Sequence, residues 1–422
     1  MNTILPLLEK TKSASREVAM LSDSERAQLI LDIAQNLEEN REKVLEANAR
    51  DAEKMEDSDP KKDRLLLNEA RIQSIASDAR NIASLPDPTG KVLLSRTLEN
   101  GIELQKVTVP LGVVGVIYES RPNVTVDVAV LALRSGNAVI LRGGSDAEAS
   151  NTALVAVIHD VLRSKGIDEN AVQLLPTDRA FVQELLEAEK YVDVLIPRGS
   201  QNLIQFVREH ARIPTIETGA GVCHTFVESS ADLEKAKAIV LNAKLQRPSV
   251  CNALDTILVS QDIAQSFLPM LVNEFRQAGV EIFADEISFS VLQEAGYSLL
   301  QKASESDFGR EFLGLKCSIK VVDSFDDALV HIARYSSRHS ESIVSENKDL
   351  CDRFLREVDV AAVYSNASTR FTDGSVFGLG AEIGISTQKL HARGPFALEA
   401  LVTQKWILRG DGQVRQGREV GE

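Results

Sequence analysis

What this chain lacks narrows what it can be. No stretch approaches the roughly 18 consecutive apolar residues of a membrane-spanning helix. The first twelve residues mix acidic and basic side chains and carry no apolar secretory core. Positive charge is in deficit, with 47 Lys and Arg against 62 Asp and Glu and a formal net charge of −15. Nucleic acid and anionic membrane both call for a basic surface, so neither is an expected partner. Cysteine is sparse: Cys223, Cys251, Cys317 and Cys351 lie far apart with no CxxC. A disulfide framework or zinc cluster is therefore not expected, and a reducing cytoplasmic compartment is. There is no GxGxxG, the common dinucleotide fingerprint, and no internal repeat or low-complexity tract.

What is present is an ordinary globular composition, 44% hydrophobic and 26% charged over 422 residues. That length is enough for two or more cores. Residues 1–85 read as helices. Ser22 or Asp23 can cap one whose Ile30, Ile33, Ala34 and Leu37 form an apolar stripe. Asp57-Ser58-Asp59-Pro60 breaks the pattern, and a further helix runs from about Asn68 to Ser84. The period then changes. Leu98, Ile102, Leu104 and Val107 flank Asn100-Gly101, a hairpin signal. The strand-like Leu401–Leu408 is a natural partner, and a small sheet joining subunits of a homo-oligomer is expected from the two.

From Val107 to Gly219 short apolar strands alternate with helices. The strands are Val113–Tyr118, Ala138–Leu141, Val172–Leu175, Val192–Ile196 and Pro214–Ile216. The helices are Thr125–Leu133, Glu148–Leu162, Arg179–Glu187 and Gln201–Glu209. Such alternation predicts a parallel sheet covered on both faces, with ligands at the carboxyl ends of its strands. A second α/β region follows from about Val222, with strands around Ile257, Ile282, Ile319, Ile343 and Val363 and helices at Ala264–Gln277, Phe325–Ala333 and Lys348–Glu357. The fold class read from this is α/β, with two Rossmann-like parallel-sheet domains. Residues 1–95 and 110–225 form the nucleotide domain, 226–385 the catalytic domain, and 96–109 with 400–422 the oligomerisation hairpin and C-terminal strand.

The loops at the strand ends carry the candidate chemistry. Arg142-Gly143-Gly144-Ser145 lets backbone approach a phosphate beside a guanidinium. Arg198-Gly199-Ser200 opens a helix whose N–H groups suit a pyrophosphate. Each glycine taken singly also fits a purely structural turn. Cys251 sits in Gln246–Asn252, between the helix Asp232–Lys244 and a strand-like run. There a sulfur can be exposed to attack an acyl group, although a lone cysteine also reads as a small buried hydrophobe. A free thiol with a pKa of about 8.5 is only a few per cent thiolate at neutral pH. Arg247 and Lys244 are the nearest positive charges in sequence.

Taken together these residues resemble the gamma-glutamyl phosphate reductases, a family within the aldehyde dehydrogenase superfamily. The resemblance is carried by Val109–Val124, Ile140–Gly144, Ile196–Ser200, Gln246–Ser249 with Cys251-Asn252, Asn366–Gly374 and Ser386–Pro395. It implies an aldehyde dehydrogenase-like fold and reduction of L-glutamyl 5-phosphate by NADPH to L-glutamate 5-semialdehyde and phosphate, in proline biosynthesis. It implies Cys251 as nucleophile through a thioester, and Asn123 as oxyanion donor with the Cys251 N–H. Glu311 matches the glutamate that holds the nicotinamide ribose. Glu217 matches a water-activating glutamate of hydrolytic relatives and is read here as structural or cofactor-proximal, since water would destroy the thioester.

Arg142, with no acidic side chain aligned after the second strand, favours NADPH over NADH, although Asp146 stands nearby. Around the substrate the candidates are Glu119, Arg121 and Arg247 near the acyl phosphate. Asn366, Ser368, Thr369, Arg370 and Asp373 are candidates near the amino-acid end, with Arg370 on the carboxylate and Asp373 on the ammonium. His224, His391 and Arg393 read as structural, and no metal is expected. The labile substrate makes association with glutamate 5-kinase an expectation. Two other readings stay open: a hydrolytic NAD(P)-dependent semialdehyde dehydrogenase of the same superfamily, and a nucleotide-binding scaffold without catalysis.

Overall fold

The computed structural model describes residues 3–56, 59 and 62–415. Asp57, Ser58 and Pro60 of the expected helix break lie outside the described residues, as do residues 416–422 of the expected terminal segment. Contacts divide the chain into two compact units: Met1–Ile216, Leu379–Ile383 and Ala397–Glu422 make one, Glu217–Gly378 and Gly384–Phe396 the other.

The first unit opens with the helices Leu5–Met20, Asp23–Glu39, Arg41–Ala52, Lys62–Leu65 and Glu69–Ser84. Ser22 is the cap of the second. Its Oγ accepts from the Glu25 N–H, and the Glu25 carboxylate accepts in return from the Ser22 N–H at 2.7 Å. This reciprocal arrangement satisfies two donors that a helix start leaves open. Ile30, Ile33, Ala34 and Leu37 are buried on one stripe, as the spacing predicts.

The hairpin forms from β1 (Val92–Thr97) and β2 (Glu103–Pro110), and β2 pairs antiparallel with the terminal strand Val402–Arg409. Gly101 turns it with φ +82°, a conformation glycine adopts without steric cost. The first strand begins at Val92, ahead of residue 96. Val92 and Leu93 are both exposed, so no in–out alternation marks its start.

The unit's main sheet is parallel, in the order β5 (Val172–Leu174), β4 (Ala138–Arg142), β3 (Val113–Tyr118), β6 (Val194–Arg198). Every residue of β3 is buried, which is why its run is wholly apolar. The strand expected at Pro214–Ile216 is reduced to one bridge between Leu195 and Thr215. Pro214 has no N–H to give to a ladder.

The second unit holds seven parallel strands: β7 (Cys223–Val227), β8 (Leu254–Ser260), β9 (Glu281–Ala284), β10 (Leu300–Lys302), β11 (Lys316–Val322), β12 (Ser340–Val344) and β13 (Ala362–Ser365). Their order is β10-β9-β11-β8-β7-β12-β13. Helices Leu233–Leu245, Gln261–Ala278, Phe325–Tyr335 and Lys348–Glu357 fall where the periodicity places them. Among the described residues, no helix is long and apolar enough to cross a membrane.

Gly112 sets the start of β3. Its φ is +123°, and a Cβ there would lie 2.3 Å from Asp193 Oδ2. That oxygen already accepts from the Val113 N–H and from Lys12 Nζ, each at 2.7 Å. Gly112→Ala is expected to destabilise the protein by ~2–3 kcal/mol through backbone strain and loss of this anchor. Urea or thermal unfolding measures it, and an unchanged midpoint would show that the start of β3 can relax.

Candidate active site

The region around Cys251 in the second unit is built from four segments. Pro248 cannot continue the helix Leu233–Leu245, so the chain turns and reaches β8 through Cys251, which is half-buried. The Cys251 carbonyl accepts from the Cys223 thiol at 3.3 Å. Gly221 packs on the same carbonyl so closely that a Cβ would sit 1.5 Å from its oxygen. Glu311 Oε1 accepts from the Gly221 N–H at 2.8 Å, and burial raises this carboxyl above its usual range.

Asn252 fastens the loop after β13 to this turn. Its Nδ2 donates to the Thr372 carbonyl at 2.8 Å, and its own carbonyl accepts from Thr369 Oγ1 at 2.7 Å. Arg370 is thereby brought over the turn, and its Nε donates to Gln246 Oε1 at 3.1 Å. Burial first, and then repulsion from Arg247, lowers the Arg370 pKa, so two guanidinium groups are held near the thiol. Ser368 is buried and accepts from the Arg370 N–H. Burial works to raise the Asp373 carboxyl, but hydrogen bonds from Ser375 and Val376 outweigh it and leave it below the usual range.

Asn366 is placed apart from these residues. It adopts φ +54°, and both ends of its amide pair with the Ser345 backbone, at 2.9 and 3.0 Å. Ser345 follows the end of β12. Thr372 Oγ1, by contrast, bonds Ser340 Oγ at the start of that strand, at 2.7 Å. About five residues of strand, roughly 15 Å, separate the two anchors. Thr369, Arg370 and Asp373 therefore stand with Cys251, while Asn366 shapes the far end of the loop.

Glu217 is held in a reciprocal clamp. Its N–H donates to Gln388 Oε1, and Gln388 Nε2 donates back to its carboxylate, both at 3.0 Å. Arg393 and Lys389 both pair with Asp359, at 2.9 and 2.7 Å. His224 is wholly buried in β7 and faces Glu341 at 3.1 Å. Lys244 is likewise wholly buried, 4.0 Å from Asp255.

In the first unit the glycine turns take up the carboxyl ends of β4 and β6. Arg142 donates to the carbonyls of Thr177 and Gly143, at 2.8 and 3.2 Å, and its buried Nε has no protein partner. Burial, then the neighbouring Arg179, lowers its pKa. A cavity of about 440 Å³ opens beside it, lined by Gly143, Glu148, Asn151, Thr152, Pro176 and Thr177. Ser145 begins a short 3₁₀ turn here, and the nearby Asp146 is turned away onto Ser120 Oγ. The Pro176-Thr177 loop and Arg179 were not read as site residues. Their only sequence signal is position, just past the carboxyl end of β5.

Glu119 accepts from both the N–H and Oγ of Ser200, at 2.8 and 2.9 Å, so this carboxylate stands on donors that suit an anion. A Cβ on Gly199 would meet it at 2.6 Å. Arg198 donates to the Ile383 carbonyl. Arg121 caps the helix Pro122–Arg134, and with Arg64, Glu119, Ser120 and Gly199 it lines a small recess. Asn123, in the first turn of that helix, donates from Nδ2 to Asp127 at 3.0 Å. Burial pushes the Asp127 carboxyl up to about 6.

This fold, with a cysteine at the entry to a parallel strand, is that of the aldehyde dehydrogenases. The aldehyde dehydrogenase family profile matches residues 3–289, and the chain belongs to that family. Gamma-glutamyl phosphate reductase from Chlorobaculum parvum is 53% identical over 98% of this chain and 98% of its own. The enzyme of that name from Parabacteroides distasonis is 52% identical over 97% and 99%. Among solved structures, gamma-glutamyl phosphate reductase from Thermotoga maritima superposes with a TM-score of 0.94 at 44% identity, covering 98% of this chain and 100% of that one. An acetylating aldehyde dehydrogenase from Geobacillus thermoglucosidasius shares the fold, with a TM-score of 0.70 at 15% identity over 98% of both chains.

Gly221→Ala is expected to cut turnover by ~10²-fold, because the added carbon must push the Cys251 backbone by about an ångström or more. Steady-state assays paired with circular dichroism check this. Full activity in the folded variant would show that the turn does not depend on this close approach.

Proposed function

We propose that this chain catalyses the NADPH-dependent reduction of L-glutamyl 5-phosphate to L-glutamate 5-semialdehyde and phosphate, a step of proline biosynthesis carried out in the cytoplasm. One observation carries the reading: identity of more than half to gamma-glutamyl phosphate reductases extends over 98% of both chains.

Cys251 attacks the acyl carbonyl as thiolate. A C–S bond forms, the C–O bond to phosphate breaks, and phosphate leaves. Arg247 is the candidate to neutralise the departing phosphate, and Arg370 and Asp373 suit the amino-acid carboxylate and ammonium. NADPH, when bound, supplies the hydride that takes the thioester to the aldehyde level, and Cys251 then leaves as thiolate. Asn123 and the Cys251 N–H stabilise the oxyanion at both stages, through donors placed where charge develops.

The residues present fit a nicotinamide dinucleotide. Arg142 keeps an unanswered buried Nε beside a cavity of suitable size, and Gly143 leaves no room for a side chain, since a Cβ would lie 2.2 Å from Asn151 Nδ2. Arg142, Arg179 and Ser145 suit a ribose 2′-phosphate, which favours NADPH. Arg198, Gly199, Ser200, Glu217 and Glu311 are the further cofactor candidates, and the three-stranded sheet is the candidate joint of a homo-oligomer. The clamp on Glu217 weighs against the hydrolytic alternative, which needs a carboxylate turned to water.

The test follows NADP reduction with glutamate semialdehyde, with and without inorganic phosphate. Turnover should require phosphate and vanish in Cys251→Ala. Phosphate-independent turnover would sink the reading. Asn123→Ala should lower kcat by ~10²-fold, and an unchanged kcat would remove it from the oxyanion role.

A further inference from the structure

Behind the nucleophile turn lies a buried charge pair that the reaction leaves unused. Lys244 sits in the last turn of the helix before Cys251, and Asp255 is the second residue of β8 after it. Lys244 is 0% exposed and Asp255 2%. Lys244 Nζ lies 4.0 Å from Asp255 Oδ1 and makes no hydrogen bond. The carboxylate is engaged elsewhere. Oδ1 accepts from the Phe312 N–H at 3.0 Å, and Oδ2 from the Cys223 N–H at 3.5 Å. Phe312 adjoins Glu311, which holds the Gly221 N–H, and the Cys223 thiol holds the Cys251 carbonyl. One carboxylate thus ties the Glu311 segment to the strand that supports the nucleophile. Stability alone does not explain such a pair, because apolar residues of similar volume commonly replace a buried ion pair without loss.

We propose that Asp255, kept ionised by Lys244, is a positioning residue that holds the Glu311 segment and the Gly221–Cys223 segment in fixed register behind Cys251. The proposal rests on the reading of Glu311 as the ribose ligand. Burial pushes the Asp255 carboxyl up to about 7, Lys244 works against that, and Glu311 adds to it. The other titratable groups here, Cys223 and Cys317, are pushed up by burial and stay neutral. Below that pH the carboxyl takes a proton, one oxygen becomes a hydroxyl, and one of the two N–H groups loses its acceptor. Cofactor binding should therefore weaken as pH falls through neutrality.

The experiment measures kcat and the NADPH KM against pH in the full-length enzyme. The wild type should show an acid limb in kcat/KM near pH 7. Asp255→Asn should remove the limb and raise KM by ~10-fold, the effect of one buried donor left unmet. Lys244→Met should move the limb to higher pH, since the carboxylate loses its counter-charge. The double variant Lys244→Met/Asp255→Leu restores an apolar pair. It should fold, by circular dichroism and Tm, yet keep the raised KM. A double variant with wild-type KM, or a wild type with no acid limb, would overturn the proposal, even if the single variants do not fold. Glu311→Gln separates the underlying reading: an unchanged NADPH KM there removes the ribose assignment, while the Asp255 effects on the acid limb and on KM are still read directly.

Discussion

Asn252 carries the arrangement of the second unit. Its amide and carbonyl are buried and bonded to Thr372 and Thr369, so the residue after the nucleophile and the loop after β13 cannot move independently. A buried donor left unmet costs on the order of 1–3 kcal/mol, which is large against the few kcal/mol that hold a protein folded. Gly221 closes the other side of the turn, where even a methyl group has no space. The position of Cys251 is therefore set by backbone packing on one face and polar satisfaction on the other. The charged side chains are arranged around a turn already fixed.

That order of construction bears on the electrostatics. A chain with a net charge of −15 offers positive groups to an anion only where they are gathered locally. In each unit arginines stand close together. Arg370 lies near Arg247, and Arg142 near Arg179, and in both cases burial and mutual repulsion lower the first arginine's pKa. Guanidinium groups held near one another store repulsion that an anion relieves, a differential interaction that favours binding of phosphate. Glu119 on Ser200 shows the same demand met internally, by a carboxylate accepting from the Ser200 N–H and hydroxyl.

The sequence made the fold legible wherever burial imposes a period. β3 is an unbroken apolar run because both its faces are covered, and the helix Lys348–Glu357 is recovered to the residue. β7 escaped notice because His224 and Thr225 interrupt its apolar character; Glu341 compensates by accepting from the His224 N–H and facing its ring. The helix Glu286–Glu294 was missed because only Ser288, Val291 and Leu292 of it are buried, too few to set a stripe. At the candidate site, residue type and position at a strand's start or end pointed to Cys251, Arg142 and Arg370. The clamps were not legible. Gln388 on Glu217, Asp127 on Asn123, Ser345 on Asn366 and Asp255 on Phe312 are chosen by side-chain satisfaction in three dimensions, and a periodic pattern does not record that. The distant ones join residues tens to more than a hundred positions apart.

The clamps also bear on which reaction a shared fold performs. In the proposed reaction a thioester on Cys251 would have two fates, attack by water or by hydride, and the fold alone does not choose between them. The choice rests on whether a base can reach a water molecule. Glu217, the counterpart by resemblance of the water-activating glutamate, has a carboxylate that accepts from Gln388 Nε2 and an N–H engaged by the same side chain. To serve as a base it would have to give up its half-buried hydrogen bond from Gln388. In the proposed reaction Gln388 would do by hydrogen bonding what deletion of the carboxylate would do by chemistry: the acidic residue stays in place while its access to water is reduced.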